Sequence, residues 1–140
     1  MSKTATLQAP KPVEPAQAVK KFLAASPHKL LINGEWVGSA DGKTFEVLNP
    51  ADGTRLTEVA QGGKQDIDRA VRAARAAFEN GPWRRMSPRQ RGRLLYKVAD
   101  LIEQHTEEFA QLESLDNGKP LAVARAADVP LTVENLRYYA

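Results

Sequence analysis

The stretch FEVLNPADGTRLTEVAQGGKQDIDRAVRAARAAF, residues 45–78, contains a change in hydrophobic period that predicts the fold class. Its first half has two apolar runs, residues 45–48 and 55–60, separated by a turn sequence, which is typical of antiparallel strands. Its second half repeats apolar side chains at helical spacing, at Ile67, Ala70, Val71, Ala74 and Phe78. The stretch therefore predicts a mixed α/β fold in which a β-hairpin precedes an amphipathic helix.

The residues before this stretch predict a second hairpin and a short helix. In KLLINGEWV, residues 29–37, Asn33-Gly34 is the preferred pair for a two-residue turn because both positions need positive φ. AQAVKKFLAAS, residues 16–26, has the apolar spacing of a short helix, and the residues before it contain three prolines and few bulky side chains. We therefore expect a mobile tail with a short helix over residues 1–27 and a folded unit over residues 28–140.

The residues after the stretch predict further helices. SPRQ, residues 87–90, fits a capping box in which Ser87 caps and Gln90 reaches back. A second segment is expected to begin with Thr106 as its cap, and a last helix to start after Pro120 and bend near Pro130. The helix behind SPRQ is expected to bury Leu94, Leu95, Val98, Leu101 and Ile102.

Composition restricts the function classes. The chain has 140 residues, is 42% hydrophobic and 26% charged, and carries a formal charge of +3. It has no cysteine, which excludes disulfides, thiolate zinc sites and a cysteine nucleophile within these residues. It has no signal-like or membrane-spanning apolar run, and no arginine before Arg55, so a cytoplasmic location is expected. His28 and His105 have no chemical partner at a useful spacing and are interpreted as structural or surface residues.

A basic segment raises a nucleic-acid alternative. Six basic side chains lie between Glu79 and Asp100, with Trp83 and Tyr96 nearby, and such residues can bind phosphates and stack on bases. The following segment is as strongly acidic and would repel the same backbone. We therefore interpret the basic segment as a solvated or subunit-facing helix surface, and expect no nucleic-acid partner.

Asp116 in ESLDNGKPL, residues 113–121, is unusual in its position. Asn117-Gly118 predicts a helix end, so this carboxylate lies at the negative end of a helix dipole, which is unfavourable by a few tenths to about 1 kcal/mol. Either the carboxylate is a surface group, paired with Lys119 or screened by solvent, or it binds a cation together with backbone carbonyl groups. The sequence pattern alone leaves both interpretations open.

Taken together, these segments resemble a known family. Five segments are similar in order and spacing to the N-terminal portion of the NAD(P)-dependent aldehyde dehydrogenases. They are LINGEWV, the stretch over residues 45–78, PWRRMSPRQRGRLLYKVADLIE, LESLDNGKP and LRYYA. The resemblance covers residues 29–140. ADLIEQHTEEFAQLESL, residues 99–115, is most similar to the phenylacetaldehyde dehydrogenase branch.

The resemblance implies an α/β fold in which this chain supplies the N-terminal β-hairpins and helices of an aldehyde dehydrogenase cofactor-binding domain, incomplete in this chain. It implies oxidation of an aldehyde to an acid with NAD or NADP, by a homo-oligomer that uses a cysteine thiolate, a glutamate and an asparagine. None of these three groups can be assigned here, and the cysteine is absent, so the resemblance implies no catalytic and no cofactor-binding residue in this chain. A 140-residue chain without them is expected to be inactive.

The resemblance also implies a site for a monovalent cation. In many family members the ligands are backbone carbonyls at the end of the second strand unit and the aspartate of LDNGKP, which correspond to Val47, Leu48 and Asp116. A further ligand comes from later in the family chain, so the isolated segment should bind the cation poorly. An alternative role for the chain is a truncated, non-catalytic module that associates with full-length dehydrogenase subunits through exposed apolar helix faces.

Overall fold

The computed structural model describes residues 14–140, and the predicted tail before residue 14 lies outside the described residues. The prediction of a mixed α/β fold is confirmed. The elements are α1 (Gln17–Ala24), β1 (Leu30–Ile32), β2 (Glu35–Val37), β3 (Thr44–Leu48), β4 (Arg55–Ala60), α2 (Lys64–Asn80), α3 (Pro82–Arg85), α4 (Pro88–Gln104), α5 (Thr106–Asn117), α6 (Leu121–Val123), a π turn (Ala124–Asp128) and α7 (Val129–Tyr139).

The four strands form two separate antiparallel hairpins. β1 pairs with β2 across Asn33 and Gly34, whose φ angles of 55° and 80° confirm the predicted turn. β3 pairs with β4, and a parallel bridge between His28 and Val59 attaches the chain before β1 to the second hairpin. The predicted β unit is therefore two small sheets joined at one bridge.

A buried carboxylate fixes the start of α2. Asp66 is 2% exposed and accepts hydrogen bonds from the backbone amides of Gly63 (3.0 Å) and Ala40 (3.1 Å) and from the guanidinium of Arg69 (2.7 Å). The two amides, and to a lesser degree Arg69, lower the pKa of Asp66 below its usual value. Gly63 is the N-cap of α2 and Asp66 is its third helical residue, and the bond to Ala40 also anchors the loop before β3.

Small residues, not large ones, form the contact between α4 and α7. Gly92 and Ala99 are buried on α4, and Val133 is buried on α7. The predicted burial of Leu94, Val98 and Leu101 is wrong: these side chains are 41–48% exposed, and Leu95 and Ile102 are partly buried. The physical reason is close helix packing, which only small side chains permit, so the larger ones lie outside the contact.

The start of α5 and the segment before α7 differ from the predicted helix boundaries. The capping box of Ser87 and Gln90 is confirmed, but Thr106 does not cap α5: His105 takes that position and the Thr106 hydroxyl donates to the Glu103 carbonyl (2.7 Å). A π turn, Ala124–Asp128, ends two residues before Pro130, where the sequence predicted a bend. Pro130 has no N–H and would crowd the carbonyl four residues earlier, and a wider turn relieves that contact.

The buried apolar side chains of the described residues are all small. They are Val19, Ala99, Ala110, Ala124, Val129 and Val133. By contrast, Ile67, Val71 and Phe78 on the apolar face of α2 are 58%, 61% and 73% exposed. Across residues 14–140, no helix combines the length and the apolar character that a membrane span requires.

Candidate cation site

The C-terminal end of α5 holds Asp116 in its last turn. Gly118 follows in the left-handed conformation, with φ 75°, and its amide donates to the Ser114 carbonyl (3.1 Å). The Ser114 hydroxyl donates in turn to the Lys119 carbonyl (2.7 Å). The predicted helix end at Asn117-Gly118 is confirmed, and Asp116 lies among the carbonyl ends of the helix.

The end of β3 lies next to this helix end. Its ladder with β4 is interrupted between Val47 and Leu48, because Val47 is opposite Thr57 while Leu48 is opposite Arg55. A β-bulge of this kind disturbs the regular pairing of backbone groups. A Cβ atom placed on Gly118 would lie 3.0 Å from the Pro50 ring, so the backbone after α5 packs directly on the turn after β3.

A cavity of about 370 Å³ connects these elements. Val47 and Asp116 both line it, whereas the Leu48 side chain is not part of the lining and is 50% exposed. The rest of the wall is mostly apolar and comes from α1, the hairpin and α5: Phe22, Leu23, His28, Leu56, Thr57, Val59, Phe109, Leu112, Glu113 and Leu115.

His28 contributes a polar atom to this cavity wall. Its ring stacks on Phe22, with centroids 4.4 Å apart, and its Nε2 atom is buried without a hydrogen-bond partner among the described residues. Its backbone pairs with β4, accepting from the Ala60 amide (2.8 Å). The stacking and the strand bridge agree with the structural role expected for His28.

Lys119 does not pair with Asp116. Its ammonium lies 2.5 Å from a carboxylate oxygen of Asp128, at the end of the π turn. Within residues 14–140, Asp116 takes part in none of the ion pairs or side-chain hydrogen bonds. One of the interpretations left open by the sequence, the pair with Lys119, is therefore wrong.

Asp116 is exposed, as the solvent-screened interpretation expects, and the cation interpretation also stays a prediction. Its carboxylate and the nearby β3 backbone carry oxygen atoms, the ligand type that hard monovalent cations prefer. No group of three or more His, Cys, Asp or Glu side chains suited to a metal ion occurs in the described part of the chain, so a transition-metal site there is not indicated.

A charged network holds α1 over the cavity. Glu107 on α5 accepts two hydrogen bonds from Arg125 of the π turn (both 2.7 Å) and one from the Gln111 amide (2.6 Å). The Gln111 carbonyl oxygen accepts the Ala16 amide just before α1 (2.7 Å). Arg125, and then Gln111, lower the pKa of Glu107 to about 2. This network positions Phe22 and Leu23 of α1 against the cavity.

The basic segment is partly engaged within its own region. The Arg84 guanidinium donates to the Glu79 carbonyl (3.0 Å) and that of Arg91 to the Met86 carbonyl (2.8 Å). These bonds tie α3 and the start of α4 to neighbouring backbone. This arrangement agrees with a structural helix surface.

Comparison with known proteins identifies the family. The aldehyde dehydrogenase family model matches residues 36–140. The NAD+ complex of aldehyde dehydrogenase from Bacillus cereus superimposes with a TM-score of 0.87 at 53% identity, covering 91% of this chain and 26% of that chain. The mitochondrial aldehyde dehydrogenase of Rattus norvegicus is 48% identical over 114 residues, 81% of this chain and 22% of its own length. Aldehyde dehydrogenase family 2 member B4 of Arabidopsis thaliana is 47% identical over 124 residues, 89% of this chain and 23% of its own length.

The fold is that of the N-terminal region of an oxidoreductase of the dehydrogenase type. The chain belongs to the aldehyde dehydrogenase family, as the sequence resemblance predicted. It spans about a quarter of the length of the three relatives named above.

Proposed function

We propose that the chain is the N-terminal portion of an enzyme that oxidises an aldehyde to a carboxylic acid with NAD or NADP as hydride acceptor. The observation that carries this proposal is the match to the Bacillus cereus enzyme, a TM-score of 0.87 at 53% identity with a protein solved with NAD+. By the family resemblance, the matched region would be the start of the cofactor-binding domain. In this proposal the residues that bind the cofactor and perform the chemistry come from the rest of a longer chain.

The isolated 140 residues should be inactive. Thiolate attack on the aldehyde needs a cysteine, and the sequence has none. The test is NADH formation from an aldehyde and NAD+ by the purified 140-residue protein, with the Bacillus cereus enzyme as positive control. Turnover that depends on aldehyde would contradict this part of the proposal.

The size of the native protein tests the proposal as a whole. Immunoblotting with an antibody against residues 88–104 should detect a protein several times larger than 15.4 kDa. Such a protein, purified, should form NADH from aldehydes. A native mass of 15.4 kDa would contradict the proposal and favour the alternative below.

We further propose that Val47 and Leu48, through their carbonyls, and Asp116, through its carboxylate, bind a monovalent cation. Support comes from the cavity shared by Val47 and Asp116 and from the absence of an ion pair to Asp116 in the described chain.

The test is the melting temperature of the longer enzyme as sodium or potassium is added. Asp116→Asn should raise the salt concentration that is needed to increase this melting temperature. Glu134→Gln, an exposed carboxylate on α7, is the matched control. Equal protection in both variants would contradict the site.

A second candidate function is a non-catalytic module that associates with full-length dehydrogenase subunits. The observation that favours it is the exposed apolar face of α2, with Ile67, Val71 and Phe78. A tagged 140-residue chain should then co-purify with a full-length dehydrogenase from the same cells, and Val71→Asp should abolish this. Recovery of the chain without a dehydrogenase would remove this candidate.

We also propose membership of the phenylacetaldehyde dehydrogenase branch, a homo-oligomeric enzyme and a cytoplasmic location. The first rests on the similarity of residues 99–115 to the phenylacetaldehyde dehydrogenase branch. The longer protein should show a higher kcat/KM for phenylacetaldehyde than for acetaldehyde. The reverse order would contradict that assignment.

A further inference from the structure

Lys119 forms an ion pair with Asp128 and not with Asp116. Lys119 follows Asp116 by three residues, and its ammonium is the positive side chain closest to Asp116 in the sequence. The ammonium nevertheless lies 2.5 Å from Asp128 Oδ2 as an ion pair, and the two side chains are only 34% and 31% exposed. Partial burial makes such a contact less screened by water and salt than a fully exposed one.

The π turn determines where Asp128 lies. The Val129 amide donates to the Ala124 carbonyl, five residues earlier, so the turn contains one more residue than a regular α-helical turn. The extra residue changes the direction in which Asp128 projects from the helix. The Asp128 carboxylate thereby lines a second cavity, of about 210 Å³, together with Glu113.

Without Asp128, two carboxylates close to Lys119 along the chain become alternatives for its ammonium: Asp116 is three residues away, and Glu113 adjoins Ser114, whose hydroxyl donates to the Lys119 carbonyl. Glu113 borders both cavities, and one of its oxygens accepts a hydrogen bond from the Asn117 amide (2.6 Å). Asp116 has no such partner among the described residues. A released ammonium would therefore compete directly with a metal cation for Asp116.

We propose that Asp128 is a positioning residue for the cation site: it holds the Lys119 ammonium away from Asp116 and so keeps that carboxylate open to a monovalent metal cation. The inference rests on the proposed cation site. Its physical basis is competition between two positive charges for one carboxylate. Asp128 takes no part in binding the cation and acts only through Lys119.

The test compares five forms of the longer enzyme that contains this chain by sodium NMR, where the line width reports weak sodium binding. They are the natural sequence, Asp116→Asn, Asp128→Asn, Lys119→Met and the double variant Asp128→Asn/Lys119→Met. Asp128→Asn should weaken sodium binding about two- to fivefold, the range expected for one partly exposed charge pair. The double variant should restore it, because the competing ammonium is gone. Lys119→Met alone should bind sodium as the natural sequence does.

Three results would overturn the inference. Sodium binding could be equal in Asp128→Asn and the natural sequence, or the double variant could fail to restore it. Lys119→Met alone could also bind sodium more than twofold more tightly, which would show that Asp128 does not sequester the ammonium.

A second measurement separates this inference from the cation site itself. If Asp116→Asn leaves the sodium line width unchanged, the proposed cation site is wrong, and the NMR signal of the Lys119 ammonium decides the role of Asp128. A signal that moves in Asp128→Asn and moves back in Asp128→Asn/Asp116→Asn supports transfer of Lys119 to Asp116. A signal that does not move, or that is restored by Asp128→Asn/Glu113→Gln instead, overturns it.

Discussion

Single residues determine how the end of α5 meets the β3–β4 hairpin. Gly118 adopts a positive φ that glycine reaches without strain and alanine does not, and it packs against Pro50 on the hairpin. Glu107 and Gln111 connect the same helix to α1 and to the π turn. The candidate cation site therefore depends on a few polar and conformational details, each of which can be changed separately.

Replacement of Gly118 by alanine should destabilise the end of α5. The left-handed conformation makes alanine unfavourable by about 1 kcal/mol, and the new Cβ would lie 3.0 Å from the Pro50 ring. We expect faster hydrogen exchange at the last amides of α5. Gly38→Ala is the matched control, because Gly38 has no heavy atom within 4 Å of its Cβ position and no positive φ. Equal exchange in both variants would contradict the prediction.

The Glu107 network should make a pH-dependent contribution to stability. The pKa of Glu107 is lowered from its usual 4.5 to about 2, so the contribution is complete above about pH 4.5 and is lost as the pH falls through 2. Glu107→Gln should lower the urea midpoint of the helical circular dichroism at about pH 6, and the difference from the natural sequence should shrink towards pH 2. Glu134→Gln should show no difference at either pH. A Glu107→Gln effect that is constant with pH would refute the assignment.

Asp66 should matter more than its exposed neighbour Asp68. Asp66→Asn removes a charge that accepts hydrogen bonds from Gly63, Ala40 and Arg69, whereas Asp68 makes one ion pair with Lys64 at 3.1 Å. We expect a lower melting temperature of the helical signal for Asp66→Asn and little change for Asp68→Asn. The opposite order would show that the cap does not hold α2 to the loop before β3.

At the scale of elements, α4 and α7 pack by their small residues. Arg137 on α7 strengthens the contact by donating to Glu103 (2.6 Å) and Asp100 (2.8 Å) on α4. These ion pairs and the bulky apolar side chains lie around a seam formed by Gly92, Ala99 and Val133. Added volume in the seam should therefore be more harmful than volume removed beside it.

Ala99→Leu tests this packing. Ala99 is fully buried, so the larger side chain should push α4 and α7 apart and destabilise the fold by about 1–3 kcal/mol. Val98→Ala removes a neighbouring side chain that is 45% exposed, and should change stability by less than about 0.5 kcal/mol. Urea unfolding followed by circular dichroism gives both values. A larger loss in Val98→Ala would mean that the apolar stripe of α4 is buried after all.

At the scale of the whole molecule, apolar surface is poorly covered. In residues 14–140 the fully buried apolar side chains are alanines and valines, while Phe45, Phe78 and Trp36 are at least half exposed. Burial of large apolar side chains is the main stabilising term in small domains. The 140-residue chain therefore has little to offset the conformational entropy of folding.

The isolated chain should consequently be marginally stable. We expect a broad thermal transition, poor dispersion of the NMR spectrum and binding of a fluorescent dye that detects exposed apolar surface. The Bacillus cereus enzyme, measured under the same conditions, is the control for a complete chain of this family. A sharp, cooperative transition with a well-dispersed spectrum would contradict this prediction.

Local patterns in the sequence were sufficient for the elements and the family. Turn residues at Asn33-Gly34, caps at Ser87 and Gly63, and the helix end at Gly118 depend on interactions within a few residues, so the sequence alone determines them. Tertiary structure alone decided which face of α4 is buried, because that depends on how closely α7 approaches Ala99. It also decided that Lys119 pairs with Asp128 and not with Asp116, because the π turn sets the direction of a carboxylate nine residues away. Periodicity records which side chains share a face, but the distance to the neighbouring element determines which of them are buried or paired.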